Sequence, residues 1–253
     1  MHADQSCHIA VFADIHANLQ ALEAVLDDLD HGAPACDAIF IAGDVLSLGP
    51  QPDECINLLK RKPAVSFVMG NNDRYVDKRL FEKSKTFHTD IFASIPDGLL
   101  DNLRWTRERI SKENLSLVHA WPRSIDIEKC AKRFCLAHGT PQSDEETVTK
   151  LFENAAFLSR CESYDCCIFG HTHVPCVQKV RNTLFVNPGS VGDPLDGDVR
   201  ASYAVIDIAG GTMNARIRRV AYDIDATFQK IRGLSVPWSE KIIEVMKIAL
   251  LRL

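Results

Sequence analysis

Hydrophobic and polar positions change rhythm several times along the chain. Cys7–Ala13 is an apolar run of strand length. Behind it, Leu19, Leu22, Val25, Leu26 and Leu29 recur at helical spacing, with Asn18 placed to cap that helix and Gly32 to end it. Ala38–Ala42 predicts a second strand. Pro52 opens a helix through Lys62, at a position where its missing N–H costs nothing, and Ala64–Met69 predicts a third strand. Strand, helix, strand, helix, strand with short joints implies a parallel sheet covered by helices.

Residues 74–122 are richer in charge and less regular, with helical patches around Leu99–Ile110. A lid or helical insertion within one domain spanning residues 1–253 is the expectation. Strand patterns return at Ile125–Ile127 and Arg133–Ala137. Ser143, Asp144, Glu145 and Glu146 match a capping box and predict a helix to about Arg160. From Cys166 onward short strands are expected in hairpin fashion: Ile168–Gly170, Pro175–Val180, Thr183–Val186, Tyr203–Ile208 and Ala215–Val220. Arg181-Asn182 and Gly210-Gly211 mark turns. The tail, Pro237–Leu253, predicts a helix with one apolar face. Packing on the sheet is the simpler use of that face, and a homo-oligomer contact through this helix is the alternative.

Composition narrows the class. With 46% hydrophobic and 25% charged residues over 253 positions, the chain can bury a core that needs no disulfide or zinc staple. A formal charge of −5 argues against general nucleic-acid binding. Arg216, Arg218 and Arg219 read as a solvated strand face rather than a basic patch. Nine cysteines without a single C-x-x-C pair argue against a zinc ribbon and predict reduced thiols in a cytoplasmic protein. The first residues lack a signal-peptide pattern, and no window is long enough for a membrane span.

The apolar runs share one kind of ending. "IAVFADIH" ends in Asp14 and His16, "AIFIAGD" in Asp44, and "VSFVMGNND" in Asn71, with Asn72 and Asp73 behind it. "RFCLAHG" leads to His138, and "CCIFGHTH" to His171 and His173. In open α/β sheets the C-terminal strand edge is where ligands bind. Two Asp, one Asn and four His, with no thiolate, suit Mn, Fe or Zn in a hydrolytic site. Seven donors are too many for one ion that keeps an open position. They suit two ions, roughly 3.5–4 Å apart, that share a carboxylate and hold a hydroxide against a phosphoryl group. Gly43, Gly70, Gly139 and Gly170 flank the donors where side chains would obstruct. Each motif alone reads as an ordinary turn; five strand ends that all deliver donors do not.

The order D-x-H, G-D, G-N-x-D, H-G and G-H-x-H, together with "DIHANLQALEAVL", "GDVLSLGPQPDEC", "GHTHVP" and "VNPGSVGDP", resembles the calcineurin-like metallophosphoesterase family, in its small bacterial and archaeal branch. The resemblance implies an α/β fold, a four-layer α-β-β-α sandwich of two mixed sheets. It implies Asp14, His16 and His173 on one metal, Asn71, His138 and His171 on the other, and Asp44 bridging. Two departures matter. Asn72 stands where many members carry a substrate-contacting His, and an amide donates a hydrogen bond but transfers no proton. Ser47 and Leu48 stand where the protein phosphatases carry Asp and Arg, so a bidentate phosphate clamp is missing and protein phosphatase activity is disfavoured. The expectation is a metal-dependent phosphoesterase acting on phosphodiester or phosphoanhydride bonds of a small phosphorylated substrate, nucleotides included. A phosphomonoesterase and a metal-binding, non-catalytic scaffold are the alternatives. Asn72 and Asp44 are the expected catalytic residues. His119 is weighed as a substitute proton donor, Asn187 as a turn residue, and Asn18 as a cap whose helix end also favours a nearby anion.

Overall fold

The computed structural model describes residues 6–32, 35–76, 96–148 and 154–248. Its first sheet contains β1 (Cys7–Phe12), β2 (Ala38–Ile41), β3 (Val65–Phe67), β9 (Ala201–Ala209) and β10 (Thr212–Val220), in the order β10-β9-β1-β2-β3. β1, β2 and β3 run parallel, joined through α1 (Leu19–Gly32) and α2 (Pro52–Leu59) as the alternating pattern predicts. β9 lies antiparallel to β1, with Ile9 opposite Ile206, and β10 completes a hairpin. The second sheet contains β4 (Ser124–Lys129), β5 (Lys132–Ala137), β6 (Cys166–Ile168), β7 (Cys176–Val180) and β8 (Thr183–Asn187), in the order β4-β5-β6-β8-β7. β5, β6 and β8 run parallel.

Strand alternation separates the layers. On β1, Ile9 and Val11 join Phe40, Phe134, Leu136, Ile168 and Ile206 in a core between the two sheets. Ala10 and Phe12 face the other way, packing with Leu22, Val25 and Leu26 of α1 and Ile56 of α2. From Ile9 to Phe12 β1 is buried on both faces, which explains the apolar run there. The outer face of the second sheet is covered by α6 (Ala155–Cys161), through Phe157, Leu158 and Cys161 against Cys135, Cys167 and Phe185. The result is helix, sheet, sheet, helix, the α/β sandwich that the resemblance implied.

Four sequence expectations need correction. Ser143–Glu146 opens no helix: Thr140 Oγ1 donates to Glu146 (2.9 Å), and Asp144 and Glu145 pair with Arg74, so the acidic side chains serve a loop. The helix begins instead at Ala155, where the Asn154 side chain accepts from the Ala156 and Phe157 N–H groups; residues 149–153 lie outside the described set. β6 belongs to no hairpin; from Cys166 onward the hairpins are β7–β8 and β9–β10, and the latter crosses into the first sheet. The tail helix, α8 (Ser239–Ile248), packs not on a sheet but on α7 (Ile224–Gly233) and on Trp105 of α4 (Asp97–Arg109), through Ile242, Ile243 and Met246. Residues 249–253 of the predicted helix, and 77–95 of the expected insertion, lie outside the described residues. Finally, Cys7 and Cys130 form a disulfide, Cα atoms 6.3 Å apart, so the thiols are not all reduced; the other seven cysteines are free.

Within 96–122, α4 is followed by α5 (Lys112–Ala120), which packs on α2. The three arginines of β10 are each paired with a carboxylate, Arg216 with Asp207, Arg218 with Asp28 and Arg219 with Asp196. They form no cationic patch.

Candidate metal centre

Because β1, β2 and β3 are parallel, and β5 and β6 are parallel, the chain leaves each group of strands on one side. The loops after them carry the seven candidate donors. Asp14 and His16 follow β1, Asp44 follows β2, and Asn71 heads the short helix α3 (Asn71–Tyr75) after β3. His138 follows β5, and His171 and His173 follow β6.

Five of the seven, Asp14, His16, Asp44, His171 and His173, have left-handed backbones, with φ between 48° and 69°. Such conformations cost on the order of 1 kcal/mol or more apiece for residues with a Cβ. Together that is a sizeable fraction of a typical net stability of roughly 5–15 kcal/mol, so the loops must be over-determined by their bonding. They are. Asp14 N–H donates to Gly43 O (3.0 Å), His16 N–H to Asp44 O (3.0 Å), Ala17 N–H to Val45 O (2.8 Å) and Gly192 N–H to Asp14 O (3.0 Å). Gly43 is also left-handed (φ 83°), and a Cβ on it would lie 2.7 Å from Gly70 N. At Gly70 a Cβ would overlap the Asp44 carboxylate. These two glycines let adjacent donor loops touch.

The donors meet in two groups. In one, His16 Nε2 lies 3.2 Å from His173 Nε2, which lies 3.4 Å from Asp14 Oδ1. In the other, Asn71 Oδ1 lies 3.0 Å from His138 Nε2 and 3.1 Å from His171 Nδ1. Asp44 Oδ2 stands between them, 3.8 Å from His16 Nε2 and 3.4 Å from His138 Nε2. All seven are buried except His171, which is partly exposed.

The bonding around these groups fixes which atoms face inward. His173 Nδ1 points at Asp193 O (2.5 Å) and His138 Nδ1 at Ala42 O (2.7 Å), so in each ring Nδ1 carries the proton. The His138 Nε2 lone pair then faces another acceptor, Asn71 Oδ1, and the His173 Nε2 lone pair faces His16 Nε2. Asp14 Oδ1 is buried with no hydrogen-bond partner. Acceptors converging on acceptors need a cation or a proton between them. Without a metal, charge supplies part of the answer. Burial alone would lower His138, but the Asp44 carboxylate raises it to about 10. Burial also would raise Asp44, yet His138 and His16 hold it well below the usual carboxylate range. Burial lifts Asp14 to about 6, against the pull of His173, and drives His16 down to about 3.

A divalent ion fits this arrangement better than protons do. Two nitrogens each about 2.1 Å from one ion can be no more than roughly 4.2 Å apart, and the His16 and His173 nitrogens meet that limit. Asp14, His16 and His173 form one set of potential ligand atoms within 4.8 Å of one another, and Asp14, Asp44 and His138 a second.

The supporting residues were the part of the site that sequence reasoning missed. Ser190 Oγ donates to Asp14 O (2.7 Å) and accepts from Asp193 N–H (2.7 Å), which places the Asp193 carbonyl on His173. Asn187 is more than a turn residue: its amide donates to Gly170 O (2.7 Å) and Thr172 Oγ1 (3.0 Å), shaping the His171–His173 loop, while its Oδ1 accepts from Gly189 N–H. Asp73 accepts from Gly70 N–H (3.0 Å) and Leu46 N–H (2.9 Å), joining the loops after β2 and β3. The signal for Ser190 and Asp193 lay in "VNPGSVGDP", a motif that carries the resemblance without revealing which of its residues act. Asn18 does cap α1, accepting from Ala21 N–H, and its amide also reaches Gly192 O (2.9 Å). Asn72 lies at the site, its backbone N–H on Asp44 Oδ1 (2.8 Å) and its amide on Asp44 Oδ2 (2.6 Å). His119 stands in the last turn of α5.

Comparison with known proteins agrees with this geometry. Residues 7–211 match the model of the calcineurin-like phosphoesterase superfamily domain. The chain is 31% identical over 239 residues to the uncharacterized protein MJ0912 of Methanocaldococcus jannaschii, covering 88% of this chain and 91% of that one. It is 27% identical over 208 residues to the phosphodiesterase YfcE of Escherichia coli K12, covering 77% and 84%. The crystal structure of a metallophosphoesterase from Sphaerobacter thermophilus superposes with a TM-score of 0.75 at 27% identity, over 97% of this chain and 100% of that one. The two mixed sheets, the donor-bearing strand ends and the match across residues 7–211 make this chain a member of the calcineurin-like phosphoesterase superfamily, a hydrolase of phosphoester bonds.

Proposed function

We propose that the enzyme is dinuclear and hydrolyses phosphodiester or phosphoanhydride bonds of small phosphorylated molecules, those of nucleotides among them. The observation that carries this reading is the position of Asp44, with one carboxylate oxygen 3.4 to 3.8 Å from imidazoles of both donor groups. Asp14, His16 and His173 would hold one ion, Asn71, His138 and His171 the other, and Asp44 both. Mn, Fe or Zn in these places would supply Lewis acidity toward phosphoryl oxygens and a water of lowered pKa.

The chain's own residues limit what can leave. Asn72 is fixed on Asp44 through two hydrogen bonds, so its amide is held at the edge of the centre. It donates to developing negative charge but gives no proton to a departing oxygen. Leaving groups that depart as stable anions, aryl oxides or phosphates, therefore suit the site. The left-handed loops hold the donors before substrate arrives, which lowers the reorganisation needed for reaction. Cytoplasmic residence belongs to the same reading, supported by seven free thiols against one disulfide. No helix among the described residues is long and apolar enough to cross a membrane.

The test is a panel of aryl phosphodiesters, nucleoside polyphosphates and alkyl monoesters with added Mn, using Asp44→Asn as control. Turnover of the first two classes, lost in the variant, is expected. Metal bound without turnover of any ester would leave the scaffold alternative, and faster monoester turnover the phosphomonoesterase.

A further inference from the structure

An ionic network of four side chains spans the loops that carry Asn71, His138 and His171. The Arg74 guanidinium forms a two-pronged pair with Asp144, donating from Nε to Oδ2 (2.6 Å) and from Nη2 to Oδ1 (2.9 Å). Nη2 also donates to Glu145 Oε1 (2.5 Å), which accepts from Tyr75 OH as well (2.6 Å). The guanidinium lies over the Tyr75 ring, 4.7 Å from its centre. Asp144 is buried and the Arg74 side chain is only 14% exposed, so solvent does little to screen the pair.

Each end of the network leads to a donor. Arg74 follows Asn71 by one turn on α3, so the guanidinium and the Asn71 amide move as one body. Asp144 and Glu145 stand on the loop that begins at His138. That loop folds back tightly: Thr140 N–H donates to Ser143 O (2.7 Å), and a Cβ on Gly139 would lie 2.5 Å from the same oxygen. A displacement of Asp144 is therefore passed to His138. His171 joins from β6, where the Glu145 backbone carbonyl accepts from its ring, and its Nδ1 lies 3.1 Å from Asn71 Oδ1. The other donor group is held by different partners. His173 Nδ1 donates to Asp193 O, Ser190 Oγ to Asp14 O, and His16 N–H to Asp44 O.

We infer that Arg74 is a positioning residue for one ion of the pair, the ion assigned to Asn71, His138 and His171, and that its fork on Asp144 and Glu145 sets the spacing of those donors. The inference rests on the dinuclear reading above. Apart from Asp44, the donors of this ion are an amide and two imidazoles. With no carboxylate of its own to draw the cation in, as Asp14 does at the other ion, the group depends more on being held in place. A planar guanidinium on a carboxylate fixes both the distance and the angle between the two elements it joins. It joins α3 to the loop after β5, and the Glu145 backbone extends the hold to the loop after β6.

The experiment titrates Mn into the full chain and follows the free ion by electron paramagnetic resonance, so that no turnover is needed. Arg74→Lys keeps a positive charge beside buried Asp144 but loses the fork, so it leaves no buried charge unpaired. It should weaken one of two Mn equivalents by about tenfold, the lower end for losing a partner that orients a ligand, and leave the other as it was. His171→Ala identifies which ion responds, because it removes a donor of the ion in question and keeps the one assigned to Asp14, His16 and His173. Adding Arg74→Lys to His171→Ala should leave the affinity of the remaining ion unchanged. Both equivalents weakened alike, neither weakened, or a loss in the His171→Ala background would overturn the inference while leaving the paired centre intact. A single Mn equivalent on the unaltered chain would overturn both.

Discussion

Asp14 and Ser190 show how differently two residues of one site are written in the sequence. Asp14 was legible because a carboxylate stood where an apolar run ended. Ser190 was not, because its role passes through the Asp14 carbonyl and the Asp193 N–H, groups that every residue possesses. Ser190→Ala should weaken metal affinity by about 10- to 100-fold, the usual effect of losing a partner that orients a ligand. Metal titration by calorimetry measures it, and an unchanged affinity would mean that the loop holds its shape without the hydroxyl. Asn72 gives a second prediction. Asn72→His adds a proton donor where the amide has none, so turnover of alkyl monoesters should rise by roughly 10²-fold, the lower bound of general-acid assistance. Aryl esters, which need no such help, should change little. Equal effects on both would show that Asn72 acts only by holding Asp44.

Single elements were read well where periodicity was strong and poorly where chemistry was ambiguous. α1 announced itself through five apolar positions and Asn18. Ser143–Glu146 has the composition of a capping box, but Asp144 and Glu145 satisfy Arg74 instead, an interaction invisible until α3 and that loop meet. The Cys7–Cys130 bond was equally hidden, since 123 residues separate its ends. Alkylation of unfolded, unreduced protein should label seven cysteines; nine would remove the bond from the account. α1 is also pinned to the first sheet by Asp28, which accepts from Arg218 Nε (2.8 Å), Arg218 Nη2 (2.7 Å) and Tyr203 OH (2.7 Å). The Arg218 hydrogen bonds hold the Asp28 carboxyl below its ordinary value, against a smaller upward push from burial. A depressed folded value means that this contribution is complete above the unfolded pKa, about 4, and fades as pH falls through the folded one. The stability gap between the unaltered protein and Asp28→Asn should therefore narrow below about pH 4 in thermal melts. A gap that widens in acid would contradict the assignment.

Across the whole molecule, the parallel order of β1–β3 was legible and the closing of the sandwich was not. β9 pairs with β1 from almost 200 residues away, and nothing local in either strand names its partner. The family resemblance supplied that architecture, and the structure shows its consequence. Two separate groups of parallel strands present their C-terminal ends to each other, so Asp14, Asp44 and Asn71 meet His138, His171 and His173. We propose that this meeting place holds two cations with Asp44 between them. Metal analysis of the purified protein after saturation with Mn and removal of loose ions tests it most directly. Two equivalents per chain are predicted for the unaltered protein, falling to one or fewer in Asp44→Asn. A single equivalent that Asp44→Asn leaves unchanged would contradict the paired centre.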